Sequence, residues 1–275
     1  MGLLITTLGV LFLYNHKATP SHPHFAIIPH FMLASEKVDE FYAFLKDKRY
    51  AENDPETIII VSPNHFNQHS TTPQTICCIP LIGGTEGGCE VYFRNQKYQL
   101  TPFPNTACDE NIFYLFGNSL TTNEHGIGEH LPRITKHFPT TKTIIPLILP
   151  THKQPTQVTV PLDKGEGGGR AKFRTTEGGL QKRTLTIASV DFSHYLPETT
   201  ARTNDQISIA TLESWTWTRP DFRRLDVDCP SCLYLIDQIT RNEQSAKLYR
   251  RDSSSTILSR DMQSENTSRV FMYYE

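Results

Sequence analysis

Short runs of apolar residues recur along the chain and predict buried β-strands. Each run is shorter than a typical buried helix and is bounded by turn-forming or polar residues. Between these runs, apolar residues follow the 3.6-residue period of amphipathic helices. We predict strands over residues 24–30, 57–65, 142–149, 184–190, 246–253 and 268–274, and helices over residues 35–48, 108–120, 123–138, 199–216 and 230–241.

The alternation of apolar strands with amphipathic helices predicts the fold class. A strand that helices cover on both faces is apolar throughout, as these runs are. The first helix has Val38, Phe41, Tyr42 and Leu45 at helical spacing, and Ser35 is placed to cap it. We therefore predict an α/β fold with a mostly parallel central sheet covered by helices on both faces. In such sheets, ligand sites form beyond the carboxyl ends of the strands.

Composition narrows the class of protein. The 275 residues include 37% apolar and 20% charged residues, which is typical of a soluble globular chain. The net charge is −2, from 27 basic and 29 acidic residues, so the basic excess of a nucleic-acid-binding protein is missing. The length allows residues 21–275 to form a single domain whose core needs no disulfide or metal for folding.

Two segments differ in composition from the rest. Residues 1–20 form an apolar leader, in which residues 3–14 carry no charge. This run is short for a bilayer span and suits a signal sequence better, although no small-x-small cleavage site follows it. Two interpretations of this leader remain open. It either exports the chain or anchors it to a membrane, or it forms a buried first strand or helix of a cytoplasmic protein. Residues 163–183 are Gly-rich and basic, and we interpret them as a flexible surface insertion.

Polar residues with metal-binding chemistry follow three of the predicted strands. His30 ends the first run, His65 ends the second, and Asp191 and His194 directly follow the run at 184–190. Because the carboxyl ends of parallel strands face one crevice, we expect these side chains to meet. Two neutral imidazoles and an anionic third ligand can hold Fe(II), Cu or Zn with positions left open for substrate. The third ligand is either a carboxylate such as Asp191 or a thiolate.

Cys229 is the candidate thiolate. It precedes a predicted helix in the segment DCPSCLYLIDQI, and a helix N-terminus favours the thiolate form. A second interpretation uses the same residues, because Cys229 and Cys232 form a C-x-x-C pair at a helix start, which is a dithiol redox signature. In a third interpretation, Cys232 is simply the first buried residue of the helix.

The segment EHGIGEHLP contributes another candidate. His125 precedes a helix that we expect to begin near Ile127, and from this loop it can reach the crevice. We therefore count His125 among the candidate catalytic residues. His130 and Glu129 fall in the first turn, where a solvated helix face explains them equally well.

Five segments, taken in order, resemble the Memo family, which in bacteria is the AmmeMemoRadiSam system protein B. They are IIPHF, VSPNHF, EHGIGEHLP, SVDFSHY and the cysteine before a late helix, Cys229. Their order and rough spacing agree with the family from residue 24 to the end of the chain. The chain departs from the family where Gly128 replaces a second Glu, and where PHFML replaces the usual turn after the first His.

The resemblance implies a fold similar to the class III extradiol ring-cleavage dioxygenases, an α/β sandwich around a non-haem metal pocket. It implies a mononuclear site with metal ligands His30, His65 and Cys229. Around this site it implies a pocket lined by the catalytic candidates Asp191, His194 and His125. His194 would act as an acid or base, oriented by Asp191. The bacterial family name also implies functional association with a radical-SAM protein.

The leading hypothesis is therefore a non-haem metal-dependent redox enzyme that binds Fe(II) or Cu, with Zn as a further candidate. The dioxygenases use two His and a Glu, whereas the resemblance gives this chain a cysteine in the third place. The alternatives are a non-catalytic peptide- or protein-binding module, a C-x-x-C thiol redox protein, and a zinc hydrolase. The substrate, whether a small molecule or a peptide, is not defined by the sequence.

Overall fold

The six predicted strands are all present in the structure, together with four strands that were not predicted among the described residues. The computed structural model describes residues 24–65, 74–75, 89–94, 96–100, 124–149, 183–214, 224–240 and 246–274. The apolar leader, the helix predicted at 108–120 and nearly all of the Gly-rich insertion lie outside these residues. Within the described part of the chain, no helix combines the length and the apolar composition needed to cross a membrane.

The strands and helices have the following bounds. The strands are β1 (His24–Ile28), β2 (Thr57–Pro63), β3 (Gln74–Thr75), β4 (Cys89–Phe93), β5 (Gln96–Leu100), β6 (Thr143–Leu149), β7 (Thr184–Ser189), β8 (His194–Leu196), β9 (Ala246–Ser253) and β10 (Asn266–Tyr274). The helices are α1 (Ser35–Arg49), α2 (His125–Gly128), α3 (Leu131–His137), α4 (Glu198–Glu213), α5 (Pro230–Thr240) and α6 (Ser254–Ile257).

The main sheet is mixed, with a parallel centre. Its order among the described residues is β3-β6-β2-β7-β1-β10-β8, and β9 pairs with β10. Strands β6, β2, β7 and β1 are mutually parallel, whereas β3, β8, β9 and β10 pair antiparallel. The prediction of an α/β fold is confirmed at this level. The antiparallel strands flank this centre, with β3 beside β6 on one side and β10 beside β1 on the other.

Helices cover both faces of the parallel centre. In β2, Ile58 and Ile60 belong to a core shared with α1 and α3, whereas Ile59 and Val61 belong to a core shared with α4 and α5. Alternate residues of a strand point to opposite faces, so a strand with a core on each side must be apolar throughout. The continuous apolar runs therefore predicted the layering correctly.

Two local predictions about helix ends are wrong. Helix α1 begins at Ser35, but its N-cap is Ala34 in the left-handed conformation, with φ of 50°, and no side chain caps it. The buried Arg269 donates to the carbonyls of Phe31 and Leu33 and so holds the turn before this helix. The helix predicted at 123–138 is two short helices, α2 and α3, which meet at Glu129 and at His130, the N-cap residue of α3.

Candidate metal centre

The strand order places the predicted polar residues at one edge of the sheet. Strand β7 lies between β1 and β2, and Ile28 of β1 is the register partner of Ser189 of β7. His30 and Asp191 each follow two residues later and so lie side by side, with Nε2 of His30 3.3 Å from Oδ2 of Asp191. On the other side of β7, β2 delivers His65 to the same edge.

Three imidazole rings meet at this edge. The ring centroids of His30 and His65 are 4.7 Å apart, those of His30 and His125 are 5.1 Å apart, and those of His65 and His125 are 3.9 Å apart. One ring nitrogen from each histidine lies within 4.8 Å of the other two. Burial, His65 and His30 lower the pKa of His125 to about 4, which favours the neutral imidazole that binds metals. His125, predicted to line the pocket, is therefore placed as well as His30 and His65 to bind an ion.

Glu124 fixes the orientation of His65. Its Oε1 accepts a hydrogen bond from Nδ1 of His65 at 2.6 Å, and its Oε2 accepts from the backbone N–H of His65 at 3.2 Å. The carboxylate is fully buried and also caps α2 by accepting from the N–H of Gly126. Because Nδ1 of His65 donates to Glu124, Nε2 is the nitrogen left for a metal. Sequence reasoning missed Glu124, although its place directly before His125 at a helix start is a capping signal.

Two carboxylates face Nε2 of His30. Nε2 of His30 lies 3.3 Å from Asp191 and 3.2 Å from Oδ2 of Asp228. Burial lowers the pKa of His30, but Asp191 and Asp228 outweigh it, and the pKa rises to about 9. The raised pKa favours the protonated ring of His30, whose Nε2 lies between two carboxylates, a place suited to a cation. Burial also raises the pKa of Asp191.

Asp228 is the functional candidate that sequence reasoning did not identify. Its Oδ1 accepts from the backbone N–H of Asp191 at 3.2 Å, while its backbone N–H donates to the carbonyl of Asp191 at 3.1 Å. Its Oδ2 is buried, and its partner within the described residues is Nε2 of His30 at 3.2 Å. His30, Asp191 and Asp228 each offer a ligand atom within 4.8 Å of the others. Asp228 could therefore serve as an anionic metal ligand beside His30.

Cys229 points to the opposite side from Asp228. The segment before α5 alternates, with Leu225, Val227 and Cys229 buried in the hydrophobic core and Asp226 and Asp228 on the other side. Neighbouring residues of an extended segment face opposite directions, which explains the separation. Neither grouping of metal-ligating atoms in the described chain includes Cys229.

The sulfur of Cys229 forms a disulfide with Cys232. Both residues are fully buried, and the N–H of Cys232 also donates to Sγ of Cys229 at 3.2 Å. In this state Cys229 offers no thiolate. Its role as a metal ligand stays a prediction that concerns the reduced protein.

A series of buried hydrogen bonds supports Nδ1 of His30, the ring nitrogen that faces away from the two carboxylates. Nδ1 of His30 lies 3.3 Å from both the carbonyl and the hydroxyl of Ser189, and that hydroxyl lies 3.0 Å from Nε2 of His130. Nδ1 of His130 lies 2.8 Å from the hydroxyl of Tyr42. Burial raises the pKa of Tyr42, so its protonated hydroxyl donates to His130. Burial, Arg133 and His30 lower the pKa of His130 well below its usual value, so this ring is neutral.

His130 and Glu129 do not lie on a solvated helix face. His130 is fully buried, and Glu129 is 8% exposed and pairs with Arg94 and Arg133. The break between α2 and α3 is the reason, because it turns His130 into the layer between α1 and the sheet. His130 therefore belongs to the support of the site.

His194 lies at the rim of the site. Its Nε2 is 3.9 Å from Oδ2 of Asp191, and its side chain is 25% exposed. Strand β8 holds it there through pairing with β10. A partly exposed imidazole beside a buried carboxylate is suited to proton exchange with a bound molecule.

Comparison with protein-family models and with curated proteins finds no match to this chain.

Proposed function

We propose that this chain binds one transition-metal ion at the carboxyl ends of β1, β2 and β7 and acts as a metal-dependent redox enzyme. The observation that supports the proposal most directly is the meeting of three imidazoles, each with a nitrogen within 4.8 Å of the others, beside a pair of carboxylates. In His30 and His65, the other ring nitrogen already has a partner in the fold, Ser189 and Glu124 respectively. Such support of ligand rings is a regular feature of metal sites.

We propose Asp228 as an anionic ligand that joins the histidines. Imidazole and carboxylate donors suit Fe(II), Cu and Zn, and two histidines with one carboxylate are the ligand set of non-haem Fe(II) oxygenases. A bound metal of this kind supplies an open position where substrate or oxygen can be polarised. Within the protein, His194 exchanges a proton with the bound molecule, and Asp191 holds the imidazolium that results.

The Memo-like assignment, with a fold similar to the extradiol dioxygenases, is part of this proposal. It is supported by the order of the five sequence segments and by the site residues they contribute at the ends of the parallel strands. An association with a radical-SAM protein, and a small molecule or peptide as substrate, follow from the same assignment.

Metal analysis of matched histidine variants tests the proposal. After anaerobic purification and loading with Fe(II), Cu or Zn, we expect about one metal ion per chain in the wild-type protein, and clear loss in His30→Ala and His65→Ala. His137→Ala is the control, since His137 pairs with Asp39 on α1, away from the strand ends. Equal metal content in all four proteins would reject the site.

The two candidates for the anionic ligand are separated by a second pair of variants. We expect Asp228→Asn to weaken metal binding about 10-fold or more, the scale seen when a contact to a metal site is lost. We expect Cys229→Ser, which cannot form the disulfide, to bind metal as the wild-type protein does. Loss of metal binding in Cys229→Ser, with retention in Asp228→Asn under reducing conditions, would return the third position to Cys229.

The disulfide supports a second candidate function, thiol redox chemistry. Cys229 and Cys232 stand at the start of α5 as an oxidised pair. A dithiol reductant would break the S–S bond, with both electrons and two protons going to the two thiols. If Cys232→Ser abolishes turnover with a dithiol and leaves metal content unchanged, this function replaces the metal-dependent one.

A further inference from the structure

Strand β8 contains a bulge beside the candidate metal centre. His194 pairs with Thr267 and Leu196 pairs with Asn266, so two steps along β8 match one step along β10. The extra residue is Tyr195. Bulges of this kind redirect a side chain and are common next to active sites.

Tyr195 occupies a backbone conformation that a bulky residue seldom adopts. Its φ is 56°, in the left-handed region that glycine favours. The residue is 73% exposed, more than any other large hydrophobic residue in the described chain. Because its ring is exposed, Tyr195 adds no apolar burial to the core that would offset the strain of its backbone. Strain of this kind persists where the surrounding structure imposes it, and it concentrates at ligand sites.

The bulge places the ring at the mouth of the site. The ring centroid of Tyr195 is 5.8 Å from that of His194, with an angle of 48° between the planes. His194 in turn lies 3.9 Å from Asp191, which contacts His30. The aromatic ring, the imidazole and the carboxylate thus lead from solvent to the histidine cluster.

We propose that Tyr195 is a specificity-determining residue, which contacts a planar, conjugated group of the ligand that enters the metal centre. This inference rests on the proposed metal-dependent function. An exposed aromatic face with a tilted imidazole beside it offers stacked and edge contacts to a planar group, and a puckered ring of the same size matches such surfaces less well.

Two alcohols of similar size test this preference. Benzyl alcohol and cyclohexylmethanol are titrated separately into the zinc-loaded full chain, with binding followed by ligand-observed NMR. We expect the wild-type protein and Tyr195→Phe to prefer the planar probe by about three-fold to ten-fold. In Tyr195→Gly the preference should disappear while the melting temperature rises, because glycine relieves the left-handed strain.

Ser259→Gly is the matched control. Ser259 also has a left-handed φ, of 51°, and is exposed. The substitution should stabilise the chain in the same way and leave the probe preference unchanged. A merely structural Tyr195 would behave like Ser259, so an unchanged preference in Tyr195→Gly overturns the inference.

The remaining outcomes separate this inference from the proposed function. If the wild-type chain takes up no zinc, the metal centre itself is rejected. If it takes up zinc but shows no preference between the alcohols, Tyr195 has no role in specificity. A change in sedimentation of Tyr195→Gly, with the preference intact, assigns the ring to a contact between protein chains and also overturns the inference.

Discussion

Replacing Arg269 by leucine should lower the free energy of unfolding by about 3–5 kcal/mol, the cost of leaving one partner of a buried ion pair uncompensated. Arg269 is fully buried, and its Nε and Nη2 donate to the two oxygens of Asp252 at 2.6 and 2.9 Å. Its Nη1 donates to the carbonyls of Phe31 and Leu33 in the turn that follows His30. The variant therefore removes a bidentate pair and two loop contacts together.

Arg250 provides an internal comparison for this magnitude. It donates to the same carboxylate, at 3.1 Å from Oδ2 of Asp252, but its side chain is 35% exposed. Exposed ion pairs contribute about 0–1 kcal/mol, so Arg250→Leu should cost no more than that. In Arg269→Leu, Arg250 still compensates part of the charge, which favours the lower end of the expected range.

Urea titration followed by circular dichroism measures both variants, with a common m-value as the test of two-state behaviour. Adding Asp252→Asn to Arg269→Leu should recover part of the loss, because the uncompensated carboxylate is then gone. Equal costs for Arg269→Leu and Arg250→Leu would refute the reasoning. Such a result would show that burial of the ion pair between Arg269 and Asp252 does not change its contribution to the free energy of unfolding.

Further predictions concern other parts of the fold. Burial raises the pKa of Asp54, but its contact with Lys46 and other hydrogen bonds outweigh burial and lower it. The ionised Asp54 therefore stabilises the fold above the unfolded-state pKa of about 3.9, and this contribution is lost as pH falls through the folded-state pKa. Because Asp54→Asn removes the titrating group, the free energy of unfolding should fall less steeply with acid in this variant. Gly126→Ala would place a Cβ 2.0 Å from Oγ of Ser62, so we expect a cost of about 1–3 kcal/mol in thermal unfolding and partial recovery when Ser62→Ala is added. Tyr42→Phe removes the hydroxyl that donates to the buried Nδ1 of His130. Chemical denaturation should show that the free energy of unfolding falls by about 1–3 kcal/mol.

The fold was predictable because its signals are local. The apolar run of β2 predicted a strand covered on both sides, and the polar residues directly after β1, β2 and β7 predicted a shared edge. His30, His65 and Asp191 follow from that argument alone, because the carboxyl ends of parallel strands coincide. The mixed character of the sheet depends on how β9 and β10 return, which an apolar pattern does not encode.

The rest of the site depends on side-chain direction. The two interpretations of His130 stayed open because the predicted helix extended across a break, and a turn of the backbone there changes which face is buried. Asp228 was missed because the helix N-terminus, which favours a thiolate, indicated its neighbour Cys229 as the anionic ligand. The alternation of buried Leu225 and Val227 with Asp226 was a usable signal, since it puts Asp228 and Cys229 on opposite sides.

The position of β7 between β1 and β2 also determines when the site can exist during synthesis. The contact between His30 and Ser189 spans 159 positions along the chain, and β1 and β2 share no direct pairing. A chain still on the ribosome and shorter than residues 184–189 lacks the strand that brings the two histidines together. Domains fold as units once such long-range pairings are available, and these pairings form slowly. In the proposed metal centre, binding of one ion by His30 together with His65 would therefore follow synthesis of most of the chain.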